Sequence, residues 1–285
     1  MRSVARVLLA VAVLGLLCGC RKGPPRTNEV VAVTAAKIPL DPNDRAWEQA
    51  PEHLAKLIPQ DLVEPRLLKP STAEVLVQAL TDGAGIAFRL RWLDASKNDA
   101  PRPGEFVDSC AVQVPRTIGP EPPAPQMGEA GRPVEVTLWR ADWQAAVDGR
   151  GDTIRDLYPN AAVDHYPFDA QPLGPGSAAQ KEMAQRYAPA RALGNPRSGP
   201  RESPVEDLVA EGPGTLAPAA RSGAKGKGVR TREGWSVVLS RRLPDGLAPR
   251  VRTQIAFAVW EGSREETGSR KMRTGWIPLL VRGEK

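Results

Sequence analysis

Few side chains in this 285-residue chain have a type and spacing that point to chemistry. The sequence holds two His, three Cys and four Met. His53 and His165 have no partner at metal-ligand spacing and no HExxH is present, so a multi-His centre or a bis-His haem would need both of them. No CxxCH occurs, which excludes covalent attachment of a c-type haem. Asp164-His165 resembles half of a catalytic triad, yet there is no GxSxG elbow. Gly223-Ala224-Lys225-Gly226-Lys227-Gly228 reads as a flexible basic loop and lacks the Lys-Ser/Thr ending of a phosphate-binding loop. Glu265-Glu266 stand in a turn and read as solvated. Cys110 lies in a strand pattern and reads as a buried, inert thiol. On generic motifs alone the chain is not an enzyme.

Two residues of softer or basic character stand out. Met183 fits an amphipathic helix. Met127 sits in the proline-rich loop Pro122-Pro123-Ala124-Pro125-Gln126-Met127-Gly128, where an apolar side chain adds little to strand packing. Lys271 lies in Ser269-Arg270-Lys271-Met272-Arg273. In an extended segment Lys271 and Met272 point to opposite faces and cannot share a site. Composition alone leaves Met127 as loop filling and Lys271 as a solvated charge.

The elements that would position such residues are mainly strands. The 29 Pro and 26 Gly make up about a fifth of the chain, against a usual total near 12%, and both disfavour helix interiors. Hydrophobic residues reach 41%, enough for a sizeable core. Alternation and turn chemistry predict a hairpin from Glu74–Leu80 and Ile86–Trp92 across Asp82-Gly83-Ala84-Gly85. Further strands are predicted at Asp108–Val114, Val134–Trp139, Gly234–Arg241, Gln254–Trp260 and Gly275–Val281. Without regular βα alternation, a β-sandwich is the natural way to bury them. Asp44 is placed to cap a short turn that carries Trp47 inward. His53 is expected beside a helix. Residues 148–232 read as a long irregular insertion with helix-like pieces at Ser177–Tyr187 and Pro204–Val209.

The N-terminus has its own pattern. Arg2 and Arg6 precede an apolar run from Val7 to Leu17, too short to span a bilayer as a helix, so residues 1–19 read as a signal peptide. The ending Leu17-Cys18-Gly19-Cys20 resembles a bacterial lipobox, which implies cleavage before Cys20 and lipidation of its thiol. Residues 20–36 would then form a tether, and 37–285 one domain on the periplasmic side of a membrane. Cys110 would be the remaining free thiol, so no internal disulfide is expected. The formal charge of +6 is scattered and does not argue for nucleic acid.

An ordered set of segments resembles a known family. It opens with Asp41-Pro42-Asn43-Asp44-Arg45-Ala46-Trp47 and Phe88-Arg89-Leu90-Arg91-Trp92. Phe106-Val107-Asp108-Ser109-Cys110, Met127-Gly128 and Val134-Glu135-Val136-Thr137-Leu138-Trp139 follow. Ser203-Pro204-Val205-Glu206-Asp207-Leu208, Trp235-Ser236-Val237-Val238, Ala258-Val259-Trp260-Glu261-Gly262 and the segment from Lys271 to Trp276 close it. Over roughly residues 37–282 the chain is similar to the haem b-binding gamma subunits of ethylbenzene dehydrogenase and its relatives, the type II branch of the dimethyl sulfoxide reductase family. The resemblance implies a β-sandwich holding one haem b, with Met127 and Lys271 as axial ligands. It also implies a non-catalytic electron-transfer role, between an iron–sulfur subunit and an external carrier such as a quinone-linked or c-type cytochrome. Catalysis would belong to a molybdenum-cofactor subunit. Phe88, Trp92, Phe257 and Trp260 are expected to form dry walls, and Lys225 and Lys227 to meet propionates or a partner. The alternative is an extracytoplasmic carbohydrate- or ligand-binding sandwich without haem, which would display some of its seven Trp on one sheet face.

Overall fold

In the computed structural model, the residues described are 25–151, 154–160, 174, 176–187, 189–193, 195, 201–220 and 222–282. The expected signal peptide, Cys20 and His165 lie outside them. The strands are β1 (Arg26–Thr27), β2 (Val30–Thr34), β3 (Glu52–Lys56), β4 (Ile58–Pro59), β5 (Glu74–Thr81), β6 (Gly85–Leu93), β7 (Ser109–Pro115) and β8 (Val134–Arg140). They continue as β9 (Val205–Ala210), β10 (Ala217–Pro218), β11 (Lys225–Arg230), β12 (Gly234–Arg242), β13 (Arg252–Trp260), β14 (Met272–Arg273) and β15 (Ile277–Val281). All seven strands expected from alternation are present.

Two layers of strands face each other. One runs β15-β2-β5-β6-β12-β11 and the other β10-β9-β8-β7-β13. β13 belongs to both: Arg252–Ile255 pairs with β15, and Ala256–Trp260 pairs with β7. The inward side chains follow the two-residue period. Val75, Val77, Phe88, Leu90 and Trp92 from the first layer meet Cys110, Val112, Trp139 and Phe257 from the second in one buried cluster. Trp139 makes edge contacts with Trp92 and Trp235, at centroid distances of 6.4 and 5.0 Å. The outer face of the first layer is closed by Trp47, which is fully buried. The Asp44 carboxylate caps its turn by accepting from the Ala46 N–H at 2.8 Å.

Several expectations are corrected. Val30–Thr34 falls in the expected tether but is a strand held between β15 and β5. His53 lies on β3 rather than beside a helix, and its Nδ1 is 3.0 Å from the Thr27 carbonyl. The expected insertion contains the helix Ala178–Tyr187, but its end is part of the sandwich. Val205–Ala210 is a strand paired to β8, not a helix. The Lys/Gly-rich segment is strand β11, paired to β12 along its length.

Gly228 shows why that strand is glycine-rich. A Cβ there would overlap the Trp139 ring. Gly228→Ala is therefore expected to cost about 1–3 kcal/mol through overpacking. A urea-unfolding midpoint unchanged from wild type would contradict this close approach.

Asp108 ties the loops at one end of the sandwich. Its carboxylate accepts from the Asn98 N–H at 2.8 Å, the Gly262 N–H at 2.9 Å and Trp235 Nε1 at 3.0 Å. Burial nevertheless outweighs these donors and raises its pKa from 3.8 to about 6. The folded state then holds the proton more tightly than the unfolded chain. This contribution to stability is full below the unfolded pKa and is lost as pH rises through about 6. The two-unit shift corresponds to about 3 kcal/mol. Unfolding midpoints taken from pH 4 to 7 should fall with this slope in wild type and lose it in Asp108→Asn. Equal slopes would refute the assignment.

Candidate functional site

A cavity of about 850 Å³ opens on the outer face of the second layer, away from the inter-sheet core. Its floor is set by alternation. On β7, Cys110 and Val112 point into the core, so Ser109, Ala111 and Gln113 face the cavity. On β13, Ala256, Ala258 and Trp260 do the same, and Val136 and Leu138 of β8 continue the surface. Small side chains on adjacent strands leave room above a flat, mostly apolar floor. The volume lies within the usual range for ligand and cofactor sites, about 300–1,000 Å³.

Met127 and Lys271 both line this cavity. Met127 packs against the outer-face cluster around Val136 and Leu208. The proline-rich loop that carries it is tied to the fold at several points. Gln113 Nε2 donates to the Pro125 carbonyl at 3.0 Å, and Trp276 Nε1 donates to the Pro123 carbonyl at 2.7 Å. The Gly212 N–H donates to the Met127 carbonyl at 2.8 Å. Met127 itself has φ +69°, a left-handed conformation that costs a non-glycine residue about 1–2 kcal/mol. Gly128 follows at φ +78°, and a Cβ there would come within 2.9 Å of the Arg132 carbonyl oxygen. The Met-Gly pair thus has a backbone reason for its second residue and a strained first one. Strain of this kind collects at functional sites.

Lys271 reaches the cavity from the segment that leads into β14. Its carbonyl accepts from the Gln60 N–H at 2.9 Å, just before Met272 pairs with Val259 and Pro59. Met272 is 1% exposed in the inter-sheet core, so Lys271 and Arg273 share the other, cavity-facing side. The Lys271 ammonium lies 5.2 Å from the centroid of the Trp260 ring. Burial, then the neighbouring Arg273, lowers its pKa from 10.5 to about 8. Among the described residues, no carboxylate forms an ion pair with it.

The walls differ in part from expectation. Trp260 faces the cavity, whereas the Phe257 side chain points into the core, where Phe88 packs edge-on against it. Trp92 borders a separate hollow of about 360 Å³ at β6 and β12. Lys225 and Lys227 are exposed on β11 and do not line the cavity. Cys110 is fully buried with its pKa raised by burial, as expected of an inert thiol. Glu266 is not solvated: it is 1% exposed, lines the cavity, and accepts from the Glu261 N–H at 2.9 Å through Oε2. Burial raises its pKa. Arg102, Arg140 and Arg273 also line the cavity and were missed in a background of 39 basic residues. The alternation that exposes Ala111, Ala256 and Ala258 on one face was the signal for the floor.

Comparisons with known proteins agree on the family. The family model described as "Ethylbenzene dehydrogenase" matches residues 44–272. The chain is 25% identical over 284 residues to a Haloferax mediterranei protein named "Putative respiratory nitrate reductase heme subunit", covering 96% of this chain and 81% of that one. It is 23% identical over 282 residues to "Chlorate reductase subunit gamma" of Ideonella dechloratans, covering 95% of this chain and 92% of the relative. Among solved structures, a family 9 carbohydrate-binding module from Caldicellulosiruptor kristjanssonii in complex with cellotriose aligns over 90% of this chain and 94% of its own, at 9% identity and a TM-score of 0.42. The family match spans most of the sequence: the chain belongs to the ethylbenzene dehydrogenase family.

Proposed function

We propose that this chain is an electron-transfer subunit that binds one haem b in the outer-face cavity, with the Met127 sulfur and the Lys271 amine as axial ligands. The observation that carries the proposal is the cavity itself. A thioether and an amine, distant in sequence, line one apolar space of cofactor size. Membership of the family and the relatives' names, a haem subunit and a gamma subunit, support the same reading.

The residues present fit the group. Ala111, Ala256 and Ala258 leave an apolar bed, and Trp260 flanks it. An amine ligates iron only when neutral, and burial already weakens the hold of Lys271 on its proton. The Met127 loop, pinned at Pro123 and Pro125, presents the thioether without reorganisation. Haem supplies a reversible one-electron acceptor there, and thioether ligation raises its reduction potential. Single electrons would pass between an iron–sulfur subunit and an external quinone-linked or c-type cytochrome, with catalysis in a molybdenum-cofactor subunit. Among the described residues, no helix is long and apolar enough to cross a membrane. We place the protein on the periplasmic side, tethered through lipidated Cys20.

Haem titration of the full chain tests this. One haem per chain, with a single one-electron potentiometric wave, is the expected result. A protein that stays colourless after haem supplementation overturns it.

The sugar-binding alternative requires exposed tryptophans on one sheet face. Trp47, Trp92, Trp139 and Trp235 are buried, and Trp143, Trp260 and Trp276 are partly buried. Trp143 and Trp260 line the same cavity, so a glycan-binding screen beside the haem titration separates the two readings.

A further inference from the structure

We propose that Arg273 is the anion-holding residue of the cavity and that it binds a carboxylate of the ligand, a haem propionate. This rests on the haem reading above. The residue's position is fixed by β14, where the two-residue period sends Met272 into the core and Arg273 to the same side as Lys271. Arg273 lines the cavity.

Its guanidinium lacks the carboxylate partner that several other enclosed arginines have. Arg241 is paired with Glu135, and Arg91 with Glu52. Within the cavity lining, Arg140 holds Asp142 through two bonds of 2.9 Å, and Arg102 is 3.0 Å from Glu105. Arg273 has no carboxylate within ion-pair distance among the described residues. Its Nε is buried without a hydrogen-bond partner, and Nη1 reaches only the Thr274 carbonyl, at 3.5 Å. A buried, unpaired N–H is costly, and an incoming carboxylate supplies both the charge and an acceptor for it.

Glu266 lines the same cavity yet does not pair with Arg273, and one of its oxygens is also buried without a partner. The two are therefore not a closed structural ion pair, and Arg273 keeps its charge for a ligand. A cavity lined by Lys271 and Arg273 with neither cation paired to an acid suits a dianionic, largely apolar molecule.

The test compares haemin with its dimethyl ester, which keeps the macrocycle and iron but removes both carboxylate charges. Binding to the haem-free full chain is followed by quenching of tryptophan fluorescence. Wild type is expected to prefer the diacid by about ten- to hundredfold, the value of a charge-assisted hydrogen bond. Arg273→Gln should bind the diacid weaker by a similar factor and lose most of its preference over the ester. Retained ester binding also reports that the variant is folded. Arg273→Lys should keep part of the preference. Equal binding of diacid and ester by wild type, or a preference retained in Arg273→Gln, overturns the role of Arg273 and leaves the haem reading standing. Failure of wild type to bind either compound overturns both.

Discussion

Met127→Gly is expected to leave the haem-free fold nearly as stable as wild type while haem affinity falls on the order of a hundredfold or more, at least the loss typical of disturbing metal-ligand support. Truncating an ordinary buried methionine costs about 2–5 kcal/mol. Here three effects offset one another. Glycine removes the strain of φ +69°, about 1–2 kcal/mol. It loses part of the burial of a half-buried side chain and adds glycine's entropy in the unfolded chain. The net change in unfolding free energy should stay within about 1 kcal/mol. Urea unfolding beside haem titration checks it. A loss of several kcal/mol with haem binding intact would make Met127 a packing residue.

Lys271→Met is expected to stabilise the haem-free protein at neutral pH and, by exchanging the amine for a second thioether, to alter the haem spectrum and raise its reduction potential. The cause lies in the buried ammonium. Its pKa falls from 10.5 to about 8, so below pH 8 the fold carries the full cost of enclosing the charge. The shift corresponds to about 3 kcal/mol, and methionine of similar volume recovers about 1–3 kcal/mol of it. The gain should shrink as pH rises through 8 toward 10.5, where the folded chain holds the amine neutral. Thermal unfolding at pH 7 and pH 9.5 measures it. Destabilisation at both pH values would mean that the lysine supports the fold.

These two expectations share a pattern. Each residue is retained at a cost to the fold, one in backbone conformation and one in charge burial. Residues that burden a fold in this way are candidates for function.

Sequence alone carried the strands whose two faces differ. Ile86, Phe88, Leu90 and Trp92 alternate with arginines because one face of β6 meets the core and the other does not. Val30–Thr34 has no such alternation. It is a parallel strand flanked on both sides, and its apolar run carries no period. Val205–Ala210 spaces Val205 and Leu208 like a helix, and only pairing to β8 reveals a strand. In β11 the glycines looked like flexibility, but they make room for Trp139, a contact between distant parts of the chain. The site divides in the same way. Met127 and Lys271 were legible through family resemblance. Arg273 was not, because its significance lies in a missing partner, and a missing partner is a fact of three dimensions.

The central claim is that Met127 and Lys271 hold one haem in the outer-face cavity. The most direct measurement is the optical and electron paramagnetic resonance spectrum of the haem-loaded full chain, beside Met127→Gly and Lys271→Met. Wild type should be six-coordinate and low-spin, with a Soret band and sharp α and β bands on reduction. Each variant should lose or change that signature in its own way. A wild-type spectrum unaltered in either variant would contradict the assignment.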